Sequence, residues 1–207
     1  MTCTYCAYSL RALSAAVFVG YVAAAARPAL ADRWVFDRDH TEIGFSWDHL
    51  GLSRKSGRVL DFEGQIDFTP TDPEAGSIEV TIRAASLWTG VRLLDEHLKS
   101  ADFFNVAVHP EIRFKSTEVR RTSDKTGEVS GDLTMLGITK PVTLEVTWRF
   151  TGEHPLSAVN PNYKGKWVSG FSAETTVLRS AWGLSRAIPL VGDEIGISIE
   201  AELLRAK

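Results

Sequence analysis

From Asp32 onward, hydrophobic and polar residues alternate with a period of two, the mark of strands with one face buried and the other in water. In "TEIGFSWDH", Ile43, Phe45, Trp47 and His49 share one face, while Glu42, Gly44, Ser46 and Asp48 take the other. "VLDFEGQIDF" alternates through Leu60, Phe62, Ile66 and Phe68, and "SIEVTIRA" sets Ile78, Val80 and Ile82 against Glu79, Thr81 and Arg83. "PVTLEVTWRF" aligns Val142, Leu144, Val146, Trp148 and Phe150, and "EIGISIEAEL" aligns Ile195, Ile197, Ile199, Ala201 and Leu203. Segments rich in Gly, Pro and Asp, such as "TPTDPEAGS", "RTSDKTGE" and "LGITKP", separate these runs, and "GEHPLSAVNPNYKG" makes a longer loop. The pattern predicts an all-β fold: about eight strands in up-and-down antiparallel order, closing into a barrel.

One stretch breaks the period. In "VRLLDEHLKS" Leu94 and Leu98 stand four apart, as do Leu93 and His97, which is helix spacing. This predicts a short amphipathic helix near residues 91–100, with Asp95 and Lys99 placed to pair at i,i+4 on its outer side. Phe103 and Phe104 follow in tandem, then His109 and Pro110 before the next strand. A helix and a phenylalanine pair suit one end of a barrel whose interior is either filled by side chains or holds one small ligand.

The first 31 residues do not share this patterning. Leu13 to Ala26 is an uninterrupted apolar run, too short to span a bilayer comfortably. It follows Arg11 and ends in "ARPALA", where Ala29 and Ala31 supply an A-x-A cleavage site, so residues 1–31 read as a secretory signal peptide cut after Ala31. An uncleaved anchor is the alternative reading. The expected mature chain, residues 32–207, is then a single domain in the periplasm or secreted. The leader takes Cys3 and Cys6 with it, along with Arg11 and Arg27 and no acid, leaving 21 bases against 26 acids, a net charge of −5. No block of like charge points to nucleic acid.

The mature chain has no cysteine nucleophile, no G-x-S-x-G elbow and no H-E-x-x-H pair, so neither hydrolysis nor a metal centre is indicated, and no cofactor is implied. His40 and His49, nine apart, would fall on opposite faces of one strand. What remains is binding. The inward faces give a lumen wall of Ile43, Phe45, Trp47, His49, Phe62, Ile66, Val80, Ile82, Leu144, Val146, Trp148 and Ile197, with Phe103 and Phe104 closing it. The same residues would equally pack a solid core. A polar ligand head would want basic donors, and Arg54, Lys55, Arg58, Arg92 and Arg179 are candidates, each also readable as a solvated or structural charge. Asp95 and His97 are expected to clasp the helix to the sheet, the histidine by hydrogen bonds.

Four segments in order, "HTEIGFSWDHLGLSRKSGRVLDFEGQIDF", "DEHLKSADFFNVAVHPEIRFKST", "GDLTMLGITKPVTLEV" and "GFSAETTVLRSAWGL…VGDEIGISIEAEL", resemble the YceI-like family across nearly the whole mature chain. The resemblance implies an exported, lipocalin-like barrel that binds a polyisoprenoid or another long-chain amphiphile, such as an isoprenoid quinone or a fatty amide, without catalysis and with scope for transient membrane contact. A redox accessory of a b561-type membrane cytochrome, or an enzyme of unknown class, stands as the alternative. Three positions depart from the family pattern. Leu94 stands where an arginine is common, His109 where a tyrosine is usual, and Arg179–Gly183 reads R-S-A-W-G without its acid.

Overall fold

The alternating runs form eleven hydrogen-bonded segments in a computed structural model, which describes residues 31–206 together with Met1. The expected leader, residues 1–31, lies outside the described residues except at its two ends. The segments are β1 (Asp32–Phe36), β2 (Glu42–His49), β3 (Ser53–Val59), β4 (Phe62–Thr69), β5 (Asp72–Arg83), β6 (Leu87–Trp88), β7 (Glu111–Arg121), β8 (Thr126–Met135), β9 (Ile138–Glu153), β10 (Trp167–Leu178) and β11 (Val191–Arg205). One α-helix, α1 (Arg92–Lys99), lies between β6 and β7.

Every pairing is antiparallel, and the ring β1–β4–β5–β7–β8–β9–β10–β11 closes where β1 meets β11. β2, β3 and β6 prolong β1, β4 and β5 beyond short breaks, so the barrel has eight strands, three of them interrupted. β11 runs past both halves of the first strand, pairing β2 over Val191–Glu200 and β1 over Leu203–Arg205. Closure leaves few open edges to protect.

The breaks explain where the alternation fails. Val59 and Phe62 are both buried though three apart, because the strand stops between them, and Leu60, expected in phase, faces solvent. Phe150 also turns out to water. Trp148 pairs with Phe171 and Phe150 with Gly170, so Arg149 is an extra residue, a bulge that reverses the facing of the residues after it.

The interior divides along the barrel axis. At the end holding the β4–β5, β7–β8 and β9–β10 connections, Trp34, Phe68 and Leu203 form a plug. Trp34 and Leu203 are fully buried, the Trp34 and Phe68 rings stack at 5.1 Å, and the indole N–H donates to the Phe68 carbonyl at 3.2 Å. Burying each such side chain contributes roughly 1.5–3 kcal/mol. Toward the other end two separate clusters line the wall, one of Ile43, Val59, Phe62 and Leu87, the other of Ala84, Ile112, Leu133, Met135, Val177 and Trp182. Ile82 and Phe104 pack against both.

Candidate functional site

Between those two clusters lies a cavity of about 610 Å³. Its wall is apolar: Ile43, Phe45, Trp47, Val59, Ile82, Leu87, Ile112, Leu133, Met135, Val177, Ile195 and Ile197 all contribute. Phe45 and Trp47 stack at 5.8 Å along one side, two residues apart on a strand and so on the same face. The volume falls in the range of small-molecule sites, which are mainly hydrophobic with a few placed polar groups. Here the polar side chains are His49, Lys55, Ser56, Thr89, His97, Arg179 and Arg186.

Helix α1 covers this end. Leu94 and Leu98 face the cavity, as their spacing predicts, while Leu93 points to solvent. Asp95 departs from its expected partner. It is buried on the inner side and accepts both the Thr89 N–H at 2.7 Å and the Thr89 hydroxyl at 2.6 Å, fastening the helix to the end of β6. The outer i,i+4 pair is instead Arg92–Glu96, at 2.7 Å. A carboxylate with two short donors in hand has no reason to reach Lys99. Asp95 thus meets Thr89 on the opposite face from the one its spacing suggested. His97 does not bond to the sheet. Its ring meets Phe103 edge-on at 4.8 Å, and Nε2 lies 3.5 Å from the Asp102 carboxylate. Asp102 also takes Arg186 at 3.2 Å, tying the segment after the helix to the β10–β11 connection.

Of the expected lumen wall, Ile43, Phe45, Trp47, His49, Ile82, Phe103, Phe104 and Ile197 line this cavity. Phe62 is buried in the adjoining cluster. Ile66, Val146 and Trp148 line a separate cavity of about 120 Å³ at the plugged end, and Val80 and Leu144 are half-buried and border neither. An inward strand face runs the length of a barrel, but bulky plug residues decide which part of that length is hollow.

The basic candidates disperse. Lys55 lines the mouth, Arg54 donates to the Ser46 hydroxyl at 2.9 and 3.1 Å, Arg58 stacks on Trp88 at 4.7 Å, and Arg92 holds Glu96. Arg179 is buried, and its guanidinium donates to four main-chain carbonyls: Gly192 at 2.9 Å, Val191 at 2.9 Å, Arg186 at 3.0 Å and Leu184. Burial pulls its pKa below the usual value, with Asp193 opposing. It fixes the connection from residue 184 to 192, which supplies Leu184, Arg186, Ala187 and Val191 to the cavity. The Ser180 hydroxyl and N–H donate to Asp193 of β11 and hold that carboxyl below its ordinary range.

The wall residues that sequence reading left unassigned are of two kinds. Leu133 and Met135 alternate in "GDLTM" and were open to the period-two argument. The 184–191 connection has no period and gave no signal. On the outer surface Asp37, His40 and Glu202 bring metal-ligand atoms within 4.8 Å of one another, with His40 Nδ1 3.1 Å from the Asp37 carboxylate.

Comparison with known proteins agrees with this architecture. The YceI-like domain model matches residues 34–203. A UPF0312 protein of Pseudomonas putida is 36% identical over 177 residues, 84% of this chain and 88% of that protein. The crystal structure of a Campylobacter jejuni YceI protein superposes with a TM-score of 0.69 at 27% identity, over 77% of this chain and 90% of the other. A polyisoprenoid binding domain from Saccharophagus degradans, implicated in plant cell wall breakdown, shares the fold at a TM-score of 0.61 and 12% identity, over 86% of this chain and all of that one. With 170 consecutive residues matched, a closed eight-stranded barrel and one helix over its mouth, this chain belongs to the YceI-like family.

Proposed function

We propose that this protein is an exported carrier that holds the apolar part of one long-chain amphiphile in the 610 Å³ cavity and keeps its polar end at the mouth. The observation behind this reading is the cavity itself, an apolar wall with polar side chains concentrated at one end. Burial is worth roughly 0.8 kcal/mol per methylene, so about ten methylenes supply on the order of 8 kcal/mol before ordering costs. A polyisoprenoid, an isoprenoid quinone or a fatty amide has this chemistry, and the Saccharophagus degradans neighbour is described as a polyisoprenoid binding domain. The carrier reading assigns no catalytic residue.

Trp47 lines the cavity and Trp182 belongs to the adjoining cluster, so ligand uptake should change tryptophan emission. A saturable response to a long-chain amphiphile, absent with a short-chain analogue of the same head group, is the expected result. A linear, unsaturable response to every amphiphile would sink the proposal. Export is tested separately by N-terminal sequencing of protein recovered outside the cytoplasm. Asp32 should be the first residue, and a retained Cys3 would refute it.

A further inference from the structure

The mouth of the barrel is greasy on the outside as well as within. Five aliphatic side chains of the described barrel are more than 60% exposed: Leu52 at 82%, Val159 at 77%, Leu93 at 68%, Val108 at 64% and Leu190 at 64%. Four of them stand around the cavity mouth; only Val159 is at the plugged end. Leu52 lies at the tip of the β2–β3 turn, Leu93 in the first turn of α1, Val108 just before β7 and Leu190 just before β11. These tips belong to one rim. The Leu50 N–H donates to the Leu190 carbonyl at 2.8 Å, joining the β2–β3 turn to the 185–190 segment, and Arg186–Asp102 at 3.2 Å joins that segment to the stretch after α1.

Charge around the rim is uneven in availability. Three rim carboxylates are engaged: Glu96 holds Arg92, Asp102 holds Arg186 and His97, and Asp48 accepts the Gly51 N–H at 2.8 Å, while the exposed Glu194 near the start of β11 makes no ion pair with any described residue. Arg54 and Lys55, in the same turn region as Leu52, make no ion pair with any described residue. Separate aliphatic tips with basic side chains between them that no carboxylate neutralises suit a fluid, negatively charged surface. A protein partner is more often anchored by aromatic side chains set into pockets.

We infer that the mouth rim docks on an anionic lipid bilayer, with Leu52, Leu93 and Leu190 entering the interface and Arg54 and Lys55 meeting lipid phosphates. In that pose the cavity opens directly onto the membrane, and an amphiphile passes between bilayer and lumen without crossing water. The inference rests on the carrier reading for its purpose, but docking and lumen binding are separately measurable.

The test uses the full chain, with Cys3→Ser and Cys6→Ser, carrying an environment-sensitive fluorophore at Leu52→Cys, Leu93→Cys or, as a control at the plugged end, Val159→Cys. Vesicles contain phosphatidylcholine with or without phosphatidylglycerol, plus bromine-labelled lipid as quencher. A leader still attached would bring all three proteins to the vesicle alike, so the comparison between sites reports the docking face. Labels at 52 and 93 should be quenched at least threefold more than the label at 159, and more strongly with phosphatidylglycerol present. Leu52→Asp/Leu93→Asp/Leu190→Asp, three changes at exposed positions, should abolish that difference between sites while leaving the tryptophan response to amphiphile in vesicle-free solution within twofold. Equal quenching at all three sites, or none at any, overturns the docking inference. Site-specific quenching without a saturable tryptophan response leaves docking standing and defeats the carrier reading instead.

Discussion

Replacing Arg179 separates two roles for the same buried cation. Its guanidinium serves four carbonyls of residues 184–192, so Arg179→Met keeps much of the side-chain length and removes every donor. Hydrogen bonds to a charged group are each worth roughly 1.5–3 kcal/mol and are not additive within one group, and orphaned buried carbonyls add their own desolvation cost. A loss of about 4 kcal/mol is expected. At about 2–4 °C per kcal/mol for a domain of this size, the melting temperature should fall by about 10 °C or more. Guanidinium denaturation followed by circular dichroism gives the free energy, and calorimetry the melting temperature. Amphiphile affinity should fall as well, because the disordered segment includes Arg186, Ala187 and Val191 of the cavity wall. Arg179→Lys should rescue only a fraction, since a single ammonium cannot reach four carbonyls held by a planar fork. A variant with wild-type stability and lost affinity only for anionic amphiphiles would refute this reasoning and return Arg179 to the head-group role that the sequence allowed.

Trp47→Glu should fold but lose amphiphile binding, because an unpaired carboxylate in an apolar cavity must stay desolvated or protonated, while Trp47→Phe should bind within a few-fold of wild type; paired titration and thermal melts decide, and outright unfolding of the Glu variant would mean a packed core. Asp95→Ala leaves the Thr89 N–H and hydroxyl without their acceptor, so stability should drop by about 1–3 kcal/mol and amides of α1 should exchange faster, by hydrogen-exchange mass spectrometry; unchanged exchange would show that Asp95 does not fasten the helix. The hydrogen bond from His40 to Asp37 raises the His40 pKa above 6.5, so this contact stabilises the fold below that unfolded value and the contribution is lost as pH rises through the folded one. Asp37→Asn should bring the His40 imidazole resonances back to an ordinary titration in an NMR pH series, and no movement would refute the contact.

Much of the ring was legible in the sequence because a closed barrel with an apolar interior enforces period two along each unbroken run of strand. The inward faces of β2 and β11 follow the pattern residue by residue. The pattern failed at Leu60 and Phe150 because strand breaks and bulges change phase without a local signal strong enough to place them. It also carries no depth. Trp148 and Trp47 alternate alike, yet Trp34, Phe68 and Leu203 plug one end, which keeps about 120 Å³ against about 610 Å³ at the other. The helix was readable from Leu94 and Leu98, but the partner of Asp95 was not, since Thr89 lies before the helix rather than on it. Charged residues were least predictable: Arg179 looked like any basic side chain, and two of its four carbonyl partners, Leu184 and Arg186, lie in a connection with no period, the other two at the start of β11.

The carrier reading is tested most directly by what the protein already holds. Protein produced in a host rich in polyprenols and purified without detergent should be extracted with organic solvent, and the extract quantified by mass spectrometry against protein concentration. The expected result is about one long-chain amphiphile per chain, absent from the extract of a variant whose cavity is filled, such as Ile197→Trp. Recovery of no lipid near stoichiometric level from the wild-type protein, or equal recovery from the filled variant, would contradict a ligand in the cavity.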